Sequence, residues 1–148
     1  MIPIERAEEL LSGLLDELPE AFFAELNGGV SLLPDVKPDP QGDDLYILGE
    51  YCEDPFLGSS IVLYYGSFWE IFGDLPEWKL RRELRDTLRH EFRHHIESLA
   101  GEDALEVEDQ EWMDAYMAEQ QVRKAPEEAA RAAYEEVRKK GRKFWRRG

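Results

Sequence analysis

At 148 residues the chain is long enough for one domain with a single hydrophobic core, and its four tryptophans argue against disorder. The formal net charge is −15, but residues 138–148 hold seven Lys/Arg and no acid, which leaves residues 1–137 at −22. A body that acidic repels phosphate backbones, which argues against nucleic-acid binding by it. No run approaches the roughly 20 apolar residues of a membrane span. With one cysteine, Cys52, an intrachain disulfide and a cysteine-rich zinc knuckle are excluded. The first residues show no signal-peptide pattern, so the expected compartment is the cytoplasm.

In chain order, residues 4–17 place Ile4, Ala7, Leu10, Leu11, Leu14 and Leu15 at helical spacing. Pro19 opens a short second helix that Asn27-Gly28-Gly29 ends. Residues 30–33 read as a short strand. Residues 34–44, with three prolines, read as a loop, and residues 45–51 as a second strand. A loop over 52–60 leads into the strand Ile61-Val62-Leu63-Tyr64-Tyr65, followed by a helical turn or two over 67–72. Asp74-Leu75-Pro76-Glu77 resembles a capping box, and no glycine or proline interrupts the chain from Glu77 to Ala100. Residues 103–123 and 126–140 read as two further helices. The order of helices, small sheet and helices points to an α+β fold with no internal repeat.

The long helix carries the chemistry. All three histidines of the chain lie in His90-Glu91-Phe92-Arg93-His94-His95, whose first five residues read H-E-x-x-H. Imidazoles at i and i+4 stand about 40° apart around a helix and one turn apart along it. They can therefore reach one tetrahedral Zn²⁺, while Glu91 stands beside the open position as a base for water. With Leu80 at zero, Leu84, Leu88, Phe92, Ile96 and Leu99 span about 40–160°, the core-facing stripe. His90 near 280° and His94 near 320° face away from it, whereas His95 near 60° falls inside it and reads as structural rather than as a ligand. A catalytic zinc site needs a third protein ligand. Glu97, one turn beyond His94, is preferred; Asp103 is the rival, and Glu106 and Asp109 are more distant options.

Three stretches together resemble the zincin-like metallopeptidases, and within them a small bacterial family of minimal zincins. They are Glu17-Leu18-Pro19-Glu20 after the leading helix, Ile61-Val62-Leu63-Tyr64-Tyr65-Gly66 in a strand, and Thr87 to His95 in the motif helix. The resemblance covers about residues 5–110. It implies a zincin-like fold over residues 1–124, a zinc ion on His90 and His94, and Glu91 as general base. A C-terminal helix with a basic tail would occupy residues 125–148. The family pattern continues H-E-x-x-H-x-x-G-x-x-D, but this chain has Glu97 at the glycine position and Ala100 at the aspartate position. The family's third ligand is therefore not carried over, and Met113 and Met117 read as core residues rather than as a Met-turn.

The function expected from these residues is zinc-dependent hydrolysis of a peptide or protein substrate. Strand 61–65 would line the cleft, with Tyr64 or Tyr65 as a candidate oxyanion donor. The alternative is a non-catalytic metal-binding or protein-interaction module on the same scaffold. The tail from Arg138, with Phe144 and Trp145 interleaved, can contact RNA, an anionic membrane or the acidic body, and by default reads as solvated and mobile.

Overall fold

The computed structural model describes residues 1–101, 111, 114–116, 118 and 144–148. Helix α1 (Ile4–Asp16) turns Ala7, Leu11 and Leu14 inward, the spacing that the sequence predicts. A 3₁₀ turn at Glu20–Phe23 follows Pro19 and buries Phe22. Three strands, β1 (Gly29–Leu33), β3 (Gly49–Asp54) and β4 (Gly58–Tyr64), form a mixed sheet in the order β1-β4-β3. β4 runs parallel to β1 and antiparallel to β3. A second, two-stranded sheet pairs β2 (Leu45–Ile47) in parallel with β5 (Phe144–Arg146). Helices α2 (Tyr65–Phe72) and α3 (Glu77–Gly101) complete the described elements, so the fold is α+β with a small mixed sheet.

The core lies between α3, α1 and the sheet. Leu80, Leu84, Leu88, Phe92 and Ile96 of α3 pack with Leu11 and Leu14, with Phe22, and with Ile61 and Leu63 of β4. The rings of Phe22 and Phe23 lie 6.4 and 5.3 Å from that of Phe92. Tyr116 meets Phe22 edge-on at 4.9 Å. Where β3 begins, the approach to α3 is too close for any side chain: a Cβ on Gly49 would lie 2.7 Å from Leu63 Cδ2 and 2.9 Å from Thr87 Cγ2.

Several boundaries differ from the sequence reading. The strand predicted over 45–51 is two strands, because Leu48 gives its N–H to the Arg146 carbonyl and its C=O to the Tyr64 amide. The loop predicted over 52–60 is mostly hairpin: β3 runs to Asp54, whose carboxylate accepts the Phe56 and Leu57 amides at 2.7 and 2.9 Å, and Gly58 turns the chain at φ +82°. Glu53 and Asp54 carry little strand propensity, so the pairing leaves no periodic signal. Tyr65 opens α2 rather than ending the strand. The capping box does not form: the carboxylate of Asp74 pairs with the Met1 nitrogen, Glu77 pairs with Arg6 at 2.7 Å, and the Pro76 carbonyl takes the Lys79 and Leu80 amides. The predicted helices over 103–123 and 126–140 lie mostly outside the described residues, as does the boundary at 124/125.

The tail is the largest departure. Residues 144–146 pair with β2, Arg146 pairs with the buried Asp39, and Arg147 is itself buried. This part of the basic tail is docked on the acidic body, with Arg147 withdrawn from water and Arg146 still partly exposed.

Phe92 is fully buried amid this packing. Phe92→Ala should cost about 3–5 kcal/mol in urea unfolding, with little change in m-value. Trp78→Ala, at a side chain 64% exposed, should stay within roughly 0.5 kcal/mol.

Candidate metal centre

α3 reaches the site in the middle of its length, and its rotation is set by the apolar stripe. With the stripe against the sheet and α1, His90 and His94 are left partly exposed at the margin, while Glu91 and His95 turn inward. The two imidazole rings of His90 and His94 meet edge-on, with centroids 5.0 Å apart. One ligand atom from each of His90, Glu91 and His94 lies within 4.8 Å of the other two, so this group can hold a metal ion. Four-coordinate zinc at about 2.1 Å needs donors roughly 3.4 Å apart, which small rotations of the two partly exposed rings supply.

Glu91 is the unusual member. Its side chain is 0% exposed, and neither carboxylate oxygen has a hydrogen-bond partner. The His90 Nε2 atom stands 3.7 Å from Oε1, beyond hydrogen-bond length. Burial, and secondarily the negative charge of Glu50 on β3, push this carboxyl up to about 8. Two unpartnered oxygens held beside two imidazoles fit a site completed by a cation.

His95 has a different role from its neighbour. It is 1% exposed, with Nε2 2.7 Å from the Ala24 carbonyl and Nδ1 2.8 Å from the Tyr51 hydroxyl. A carbonyl only accepts, so Nε2 carries the proton and Nδ1 accepts from Tyr51. The Tyr51 and Ser59 hydroxyls share a further bond of 2.9 Å. Both ring nitrogens are thus committed, in agreement with a structural His95. Tyr51 also stacks on His94, centroids 6.4 Å apart and planes 21° from parallel. It therefore orients one candidate ligand while bonding the adjacent histidine. Sequence reasoning missed Tyr51 because a tyrosine in a strand is ordinarily packing; its only signal is its place on a strand that must pair beside the motif helix.

Glu97 stands outside the gathered group: it is half exposed, and Arg93 Nε donates to its carboxylate at 3.3 Å. Asp103, Glu106 and Asp109 lie outside the described residues. The strand expected to line the cleft, 61–65, is mostly β4, and both of its edges are filled by β1 and β3. The edge strand beside the motif helix is β3. The Tyr64 hydroxyl donates to Glu50 at 2.8 Å, and burial together with Glu50 raises its pKa. Tyr65 donates to the Ile2 carbonyl. Neither tyrosine belongs to the His90–Glu91–His94 group.

The burial of Glu91 has a pH signature in the metal-free protein. Its folded pKa of about 8 lies above the unfolded value of about 4.3, so the folded state binds the extra proton between them. Stability should be complete below about pH 4 as far as this group is concerned, and should fall as pH rises toward 8. Glu91→Gln should flatten that slope in metal-free denaturation curves taken from pH 5 to 8; an unchanged slope would assign it to other groups.

No family model and no curated protein matches the chain. Among solved structures it is similar to a conserved hypothetical protein from Thermus thermophilus, at 40% identity and a TM-score of 0.59, over 68% of this chain and 99% of that one. With that identity across nearly the whole of its relative, the chain belongs to the family of this conserved hypothetical protein.

Proposed function

We propose that the chain is a zinc-dependent peptide hydrolase. The observation that supports this reading best is the buried, unpartnered carboxylate of Glu91 gathered with His90 and His94 into one donor group. His90 and His94 bind through neutral imidazoles, and the stacked Tyr51 ring holds His94 in place. Glu97 is the third ligand in this reading; it must release Arg93, an exchange between exposed partners that costs little. A bound Zn²⁺ would supply a Lewis acid for the scissile carbonyl, acidify water beside it and offset the buried charge of Glu91.

Glu91 is the general base: a carboxylate oxygen takes the proton of the attacking water and returns it to the leaving amine nitrogen. Its surroundings exclude bulk water, so the carboxylate is poorly solvated and basic for a glutamate. Substrate enters as an extended strand on β3. Gly49 turns its carbonyl outward to the Gly148 amide, and the alternation of a strand directs the main-chain groups of Tyr51 and Glu53 the same way. The acidic body disfavours acidic peptides. The departures at Glu97 and Ala100 support the second reading, a metal-binding module without turnover.

Three substitutions separate these readings. His90→Ala should abolish stoichiometric zinc, and Glu97→Ala should weaken it. Glu91→Gln should retain zinc and lose at least about 100-fold in peptide hydrolysis. Zinc-loaded wild type that cleaves nothing in a broad peptide library would favour the non-catalytic module. Protein that takes up no zinc from zinc-replete medium would end both readings.

A further inference from the structure

We propose that Arg147, carried on the docked segment 144–148, is a positioning residue of the metal centre that fixes α3 against the start of β3. The functional consequence rests on the metal-site reading above; the structural clasp does not. Arg147 lies in the run of seven basic residues, yet its side chain is only 2% exposed. Its Nε donates to Thr87 Oγ1 at 2.6 Å, and a terminal nitrogen reaches Glu83 Oε2 at 2.9 Å. The Thr87 hydroxyl in turn donates to the Glu83 carbonyl at 2.9 Å. One planar guanidinium thus grips two successive turns of α3. Thr87 is one turn before Glu91 on the same helix face and three residues before His90.

The same five residues hold the strand on the other side. The Leu48 amide donates to the Arg146 carbonyl, and the Gly148 amide donates to the Gly49 carbonyl, both at 2.9 Å. At Gly49 the strand runs close against Thr87, whose Cγ2 would lie 2.9 Å from a Cβ there. A Cβ on Gly148 would lie 2.8 Å from the Gly49 carbonyl oxygen and 3.3 Å from Glu50 Cγ, so the segment seats beside the residue whose charge acts on Glu91. Trp145 closes the clasp: the Arg147 guanidinium lies 4.7 Å over its ring, and that ring packs at 5.8 Å on Phe72. Burying a guanidinium is unfavourable unless it is paired, and a pairing to the site helix and to no other described element gives the burial a specific effect. Helix and strand flank Glu91, and Arg147 together with its neighbours sets the space between them.

Arg147→Ala, Arg147→Lys and Arg146→Ala in the full chain test this. Arg146 pairs with Asp39, whereas Thr87 and Glu83 of α3 bond Arg147, so its variant reports the loss of a tail contact outside that grip. The measurements are zinc affinity by chelator competition, amide hydrogen exchange of the zinc-free protein over residues 83–95, and thermal melting. Arg147→Ala should weaken zinc about tenfold and speed exchange over 83–95. Arg147→Lys should recover only part of both, because an ammonium cannot fork between Thr87 and Glu83; it also carries the test if the alanine variant does not fold. Arg146→Ala should lower the melting temperature with zinc affinity and α3 exchange at wild-type levels. Position 147 variants that match Arg146→Ala in all three measurements would overturn the proposal. If wild type binds no zinc, the metal reading fails, and exchange alone decides the clasp: unchanged exchange over 83–95 would overturn it.

Discussion

A carboxylate with no hydrogen-bond partner lies on the inward face of α3, and much of the surrounding structure can be traced to it. Glu91 occupies a position that the apolar stripe would give to a leucine, and a buried unpaired carboxylate is among the least favourable groups a core can hold. Burial, and secondarily the negative charge of Glu50, push its carboxyl up to about 8, which favours the neutral form that is less costly to bury. Large apolar side chains surround it along the helix, in Leu84, Leu88 and Phe92, so the helix stays docked despite the defect. The same rotation that buries Glu91 leaves His90 and His94 at the rim, where an ion can reach them.

Two adjacent histidines show how finely that rotation is set. His94 and His95 differ by about 100° around the axis. One lies partly exposed under the Tyr51 ring; the other is sealed between the Ala24 carbonyl and the Tyr51 hydroxyl. A helix turned by that angle would carry His94 to the inward position that His95 now holds. Tyr51 therefore joins the element that carries the sheet edge to both kinds of histidine. The clearance at Gly49, too small for a methyl group, keeps the strand close enough for it to do so.

The helical periodicity was legible in the sequence because it is local. The span of α3, the inward leucines, the outward His90 and His94 and the inward His95 all follow from 3.6 residues per turn. The burial of Glu91 follows from the same wheel, at about 20°, although a base for metal-bound water is expected beside the open position. What the sequence concealed was pairing at a distance. β3 runs on through Glu53 and Asp54, residues of poor strand propensity, because β4 pairs with them in register. Tyr64 and Tyr65 read as one alternating pair, yet the strand ends between them and sends one hydroxyl to Glu50 and the other to Ile2. Glu97 has the right spacing from His94, but spacing alone could not show that Arg93 holds it.

The basic tail is where local reading failed most instructively. A run of seven cations ordinarily remains in water, since each ammonium or guanidinium loses solvation on docking. Here the body supplies −22 to offset that loss, and two carboxylates are placed to receive the tail: buried Asp39 for Arg146 and Glu83 for Arg147. Charge complementarity alone would hold the tail loosely and yield to salt. The backbone ladder to β2, the tryptophan packed on Phe72 and the side chain sealed against Thr87 fix its register instead. A charged segment thus became a strand because its partners were dispersed over residues 39, 45–49 and 83–87, a separation that no window on the sequence spans.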